Sequence, residues 1–139
     1  RRIQEAGIYI IGNYIFGLPD DNLERMQQTL ELALDLNCEF ANFYSAMAYP
    51  GSPLYRDAVR LKTPLPDSWK DFSQHGYNAK PLANQHCSAA QILEFRDRAF
   101  EQYFSHEPYL DMIRNKFGNN VLKHIKDMSA IPLKRKLLE

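Results

Sequence analysis

The chain opens with apolar positions packed side by side, then changes to apolar positions spaced three or four apart. Residues 8–16, Ile-Tyr-Ile-Ile-Gly-Asn-Tyr-Ile-Phe, form a near-continuous apolar run rich in β-branched and aromatic side chains. Such a run predicts a strand buried on both faces of a parallel sheet. Leu23, Met26, Leu30, Ala33 and Leu34 then recur at helical spacing, with Glu24, Arg25, Gln28, Glu31 and Asp35 on the other side. This predicts an amphipathic helix capped by Asp21 or Asn22, with Asp20, Asp21 and Glu24 suited to its positive end. A second strand, Glu39 to Met47, follows after only Asn37-Cys38. Strand, helix and strand make a βαβ unit, which crosses over right-handed.

The rhythm then stops. Ser52-Pro53 reads as an N-cap followed by proline at the first helical position, giving a short helix Leu54 to Leu61. From Lys62 to Cys87, Pro64, Pro66, Gly76 and Pro81 are interleaved with Trp69, Phe72 and Tyr77. The aromatics predict an ordered, packed excursion rather than a floppy linker. Ser88-Ala-Ala-Gln91 is a capping box. Its helix carries Ile92, Phe95, Ala99 and Tyr103 on one side, with Leu93, Phe100 and Phe104 beside them. Two further helices are predicted, Tyr109 to Phe117 ending at Gly118, and Asn120 to Met128. The chain thus divides into residues 1–61, the βαβ part; 62–87, the aromatic-rich loop; and 88–139, a helical extension.

Composition narrows the function classes. Among 139 residues, 17 basic side chains balance 17 acidic ones, which lacks the broad positive footprint of a nucleic-acid binder. Lys123, Lys126, Lys134, Arg135 and Lys136 read as a solvated helix face. The longest apolar stretch, Gly7 to Leu18, is too short to span a bilayer, and no signal peptide precedes it, so a cytoplasmic protein is expected. Cys38 and Cys87 are far apart, outside any CxxC spacing, and are expected to be reduced and structural. His75, His86 and Cys87 have no acidic residues spaced to support a metal. Arg1 to Gly7 reads as the middle of a helix without an initiating Met, so the chain is expected to be the downstream part of a larger domain.

The chemistry points to the two strand ends. Gly17-Leu18-Pro19 turns the backbone sharply, and the missing side chain at Gly17 would let a planar ligand lie against the main chain; turn geometry alone is the plainer account. The pairing with Tyr49-Pro-Gly-Ser52 on the next strand raises the first account. Two such ends one βα unit apart look like consecutive rungs of a parallel α/β barrel, whose chemistry lies at strand C-termini.

Ile15-Phe-Gly-Leu-Pro-Asp-Asp21, its helix, and Tyr49-Pro-Gly-Ser-Pro-Leu-Tyr55 resemble the fifth strand, fifth helix and sixth strand end of radical S-adenosylmethionine enzymes, particularly the branch with an N-terminal cobalamin-binding domain. Trp69, Ser88, Ile92, Phe95-Arg-Asp-Arg-Ala-Phe100 and Tyr103-Phe104 are similar to that branch's C-terminal helical region. The resemblance implies an α/β fold, the C-terminal βαβ portion of a partial (βα) TIM-like barrel followed by an α-helical extension. In the family's GxIxGxxGE motif, Ile15 and Gly17 fit, Asn13 replaces the first Gly, and Asp20-Asp21 replaces Gly-Glu. Adenine contact is thereby implied for Ile15, Phe16, Gly17 and Leu18, closed from the other side by Ala46 to Tyr49, including Met47 and Tyr49.

The implied cofactors are S-adenosylmethionine, a [4Fe-4S] cluster and, through an N-terminal domain, cobalamin. The cluster's CxxxCxxC cysteines are not in this chain, so the segment alone is expected to be catalytically silent, with no catalytic or metal residue of its own. An electron donor such as flavodoxin or ferredoxin and a small-molecule substrate are the implied partners, and radical methylation or ring-forming oxidation the reaction. Trp69 and His75 either line the substrate pocket or, with Phe72 and Tyr77, pin the excursion to the barrel. Arg56, Arg96, Asp97 and Arg98 read as helix-surface ion pairs rather than anion contacts. The rival reading is a non-enzymatic packing or oligomerisation module, and an isolated piece would self-associate through unpaired strand edges. A phosphate-binding barrel is opposed by Asp20 and Asp21 at the helix start.

Overall fold

Two parallel strands, β1 (Ile11–Phe16) and β2 (Phe40–Ser45), pair in register from Ile11 opposite Phe40 to Phe16 opposite Ser45. A computed structural model describes all residues, 1–139. One turn of helix, α1 (Arg2–Glu5), precedes β1; α2 (Leu23–Leu36) joins the strands; and α3 (Pro53–Arg60), a 3-10 turn (Trp69–Phe72), α4 (Ala89–Phe104), α5 (Glu107–Ser129) and a last 3-10 turn (Lys136–Leu138) follow. The fold is therefore mixed α/β with a two-stranded parallel sheet. No helix is long and apolar enough to cross a membrane.

Burial corrects the expectation for the first strand. The helices cover one face only, so Tyr14 and Phe16 are buried while Ile11 and Ile15 remain 59% and 46% exposed. Ile11, Asn13 and Ile15 share this open face with Phe40, Asn42 and Tyr44, because side chains alternate along a strand. Asn42 Nδ2 donates to Asn13 Oδ1 at 3.0 Å across it. The strand is also shorter than its apolar run: Ile8 and Tyr9 lie outside it and exposed, Tyr9 edge-on to Phe117 at 5.1 Å.

The covered face builds the core. Phe43 stacks on Phe16 at 6.0 Å and on Tyr14 at 5.4 Å, while Phe95 of α4 and Tyr103 meet the stack edge-on. Edge-to-face and offset aromatic pairs of this kind add to area burial. Met26, Leu30 and Ala33 of α2 are fully buried, whereas Leu23 at the start of the expected stripe is half exposed. The Ser88 and Gln91 capping box is present in full. The last two predicted helices join as α5, bent at Gly118, whose φ of 80° and ψ of 179° break the helical path between them.

Three buried charges were not legible in the pattern. Arg96 and Arg135, read from sequence as surface residues, are only 2% and 3% exposed. Arg96 donates to Phe43 O at 2.8 Å and Asp97 at 2.8 Å, while Arg135 holds Asp97 through two bonds of 2.7 and 2.8 Å. Glu39, 1% exposed, accepts from Ile10 N at 2.9 Å and pairs with Lys116. Burial pushes the Glu39 carboxyl up, but the Lys116 and main-chain hydrogen bonds outweigh it and hold the group below its ordinary range. A depressed carboxyl stabilises the fold above its unfolded value and loses that contribution as pH falls through the folded one. Urea unfolding of Glu39→Gln should show a loss of about 1–3 kcal/mol at pH 7. Its stability should then fall less steeply than the unaltered chain's below about pH 4; equal slopes would show that Glu39 is not the group responsible.

Candidate functional site

The C-terminal ends of the two strands are built by hydrogen bonds that the chain supplies to itself. Asp21 Oδ2 accepts from Gly17 N at 2.9 Å and Leu18 N at 3.0 Å, folding the loop after β1 back on itself. This leaves the helix cap to Asn22, whose Oδ1 accepts from Arg25 N at 2.9 Å. Asn84 then ties the far loop down: its Nδ2 donates to Leu18 O at 2.8 Å and Asp21 O at 3.0 Å. The loop amides at Gly17 and Leu18 are thus already satisfied.

The backbone at Gly17 fits the plainer of its two expected accounts, turn geometry. Its φ is +83°, and a Cβ there would sit 2.5 Å from Ile92 Cγ2. The missing side chain therefore admits α4 against the loop, and the left-handed backbone makes glycine the fitting residue. Phe16 is fully buried in the aromatic stack, and Met47 packs against Ala79, Leu93 and Leu137. The side chains of Phe16 and Met47 face the core, so neither offers an apolar surface to a ligand.

Ile15, Leu18 and Tyr49 are the expected residues that remain accessible, each close to half exposed. None of the three lines the groove of about 540 Å³ that opens between the β1 loop, α3 and the 82–85 segment, which is lined by Gly17, Pro19, Leu54, Ala58, Leu61 and Leu82 among others, with Asp20, Asp57 and Arg60 also lining it. That volume lies within the range of small-molecule sites. At the end of β2, Gln74 Nε2 and Tyr49 Oη are 3.4 Å apart, and the Tyr49 ring lies 5.8 Å from Phe72.

The excursion's two candidate residues lie apart from this groove. Trp69 is 79% exposed, so Phe72, not Trp69, pins the excursion. His75 is exposed and makes no hydrogen bond; partial burial and the nearby Arg96 and Arg135 hold its pKa below the ordinary value. Cys38 stands before β2 and Cys87 before α4, both free and buried, and burial raises the Cys87 thiol. No three His, Cys, Asp or Glu side chains converge into a metal-binding group. Gln74 and Asn84, which hold the loops around the strand ends, gave no signal in the sequence.

Part of a methyltransferase resembles this chain. Over 102 residues, 73% of its length, the chain is 25% identical to an uncharacterized methyltransferase of Pyrococcus horikoshii, and this stretch is 21% of that protein. The chain spans about a fifth of the relative's length. No protein-family model matches, and no solved structure does. A distant likeness over part of a long enzyme is compatible with a fragment of a methyltransferase-type enzyme. Gly17→Ala should cost about 2–4 kcal/mol in urea unfolding through left-handed strain and overlap with Ile92. Adding Ile92→Ala should return part of that loss; a cost unchanged in the double variant would mean the overlap is not its source.

Proposed function

We propose that this chain is one wall of a radical S-adenosylmethionine oxidoreductase or methyltransferase, with the open sheet face turned toward the reaction chamber. The observation that carries the reading is the half-exposed placement of Ile15 near the end of β1 and of Tyr49 beyond the end of β2, with Gly17, two residues after Ile15, lining a small-molecule-sized groove. Ile15 gives the adenine an apolar flank, and the Tyr49 ring closes the other side. Leu18 covers the rim. S-adenosylmethionine supplies either a methyl group or, after one-electron reduction, an adenosyl radical. What this chain contributes is orientation and exclusion of water at the strand ends.

The residues do not hold the iron-sulfur cluster. Two buried cysteines in different loops, without a third, cannot supply its thiolate set, so under this reading those ligands come from elsewhere in the protein. Cobalamin, a flavodoxin or ferredoxin donor and the choice between methylation and ring formation are likewise assigned to the rest of the protein.

The test is anaerobic reconstitution of the full-length protein with iron and sulfide, followed by measurement of 5′-deoxyadenosine released from S-adenosylmethionine under reductant. Ile15→Asp, which places a charge against the adenine, should lower release by at least about tenfold. Leu32→Asp, on the half-exposed side of α2, should leave it unchanged. A protein that binds no iron and leaves S-adenosylmethionine intact, or an Ile15→Asp variant with undiminished release, would overturn the proposal.

A further inference from the structure

Tyr49 lies beyond β2 on a loop, half exposed, where a tyrosine ring ordinarily has several staggered orientations open to it. Its backbone is turned by Tyr49 N donating to Met47 O and Ser52 N donating to Tyr49 O, both at 3.0 Å, so the side-chain torsions are the freedom that remains. The excursion removes it. The Tyr49 ring sits 5.8 Å from that of Phe72, its hydroxyl donates to Phe72 O at 3.4 Å, and the same hydroxyl accepts from Gln74 Nε2 at 3.4 Å.

Gln74 joins the strand to the ring. Its Oε1 accepts from Ser45 N and Ser45 Oγ, each at 3.0 Å, and its Nε2 donates to Ser45 O at 3.0 Å. An amide bonded on both sides in this sense does not turn over, because a flip would set oxygen against oxygen and N–H against N–H. The second Nε2 proton is therefore the one that reaches Tyr49 Oη.

The main chain of Gln74 is held by the C-terminal tail. Arg135 Nη2 donates to Gln74 O at 3.1 Å and Nη1 to Gly76 O at 3.0 Å, while Nε and Nη2 grip the Asp97 carboxylate of α4 at 2.7 and 2.8 Å. Lys136 N adds a bond to Tyr77 O at 2.9 Å. Contacts thus run unbroken from Asp97 through Arg135 and Gln74 to Tyr49. A ring already held in its bound orientation loses less freedom when a ligand arrives, so such a chain of contacts favours binding.

We propose that Gln74 is a positioning residue of the S-adenosylmethionine site: it holds the Tyr49 ring in the orientation that closes on the adenine, and Arg135 keeps Gln74 in place. The inference rests on the reading of Tyr49 given above and adds to it a residue that acts through Tyr49. Its contribution is to affinity, because the held ring grips the bound molecule alike before and during reaction.

Equilibrium dialysis of S-adenosylmethionine against the reconstituted full-length protein, with KM and kcat for 5′-deoxyadenosine release, tests this. Gln74→Ala should raise the dissociation constant and KM about three- to tenfold at constant kcat. Tyr49→Phe, which keeps the ring and loses both hydroxyl contacts, should do the same and serves where Gln74→Ala fails to fold. The double variant should bind as Tyr49→Phe does, because both changes cut one contact. Tyr49→Ala, which removes the ring, should weaken binding further. Unchanged binding in Tyr49→Ala would overturn the adenine reading and this inference together. Weakened binding in Tyr49→Ala, with none in Tyr49→Phe or Gln74→Ala, would leave that reading standing and overturn this one. A kcat lowered at constant KM, the mark of a merely structural loss, would overturn it too, as would single effects that multiply in the double variant.

Discussion

A two-stranded parallel sheet has two faces, and this chain has helices enough for one. Everything above follows from that one-sided burial. The Phe16, Phe43 and Phe95 stack fixes the sheet against α4, and α2 and α5 complete the covering with Met26, Leu30, Ile113 and Ile125. The opposite face keeps Ile11, Ile15 and Phe40 in contact with solvent. A wall of this kind either lines a chamber whose other sides come from more polypeptide, or meets another copy.

The helical extension does more than cover the sheet. α4 sends Arg96 through the core to a strand carbonyl, and the C-terminal tail returns to clamp Asp97 and the excursion through Arg135, which also donates to Gly76 O at 3.0 Å. A buried arginine is tolerated where every donor finds an acceptor and a carboxylate balances the charge. This strap fixes Gln74 at the end of β2, and Gln74 in turn lies beside Tyr49. The tail, the excursion and the strand ends are therefore one mechanical unit.

Periodicity made the βαβ unit, the proline-started α3 and the Ser88 capping box legible, because each is a local rule of spacing or capping. It misread β1 as buried on both faces, since an apolar run tells how much burial a strand can take and not how many partners the chain supplies. It also misread Arg96 and Arg135. A charged residue in a helical pattern looks solvated until a distant carboxylate and carbonyl meet it, and Asp97 lies 38 positions from Arg135. At the strand ends, Ile15 and Tyr49 were picked out by motif resemblance, whereas their half exposure was not legible. Gly17 was legible as a turn glycine, but its close approach to Ile92 was not, because only tertiary packing brings Ile92 over it.

We propose that Ile15, on the open sheet face, and Tyr49, beyond the end of β2, hold the adenine of S-adenosylmethionine. Photolabelling the full-length protein with an 8-azido-adenine analogue of S-adenosylmethionine, then mapping the modified peptides, tests this directly. The account predicts label within residues 15–18 or at Tyr49, competed away by S-adenosylmethionine. Competable label confined to positions outside this chain would contradict it.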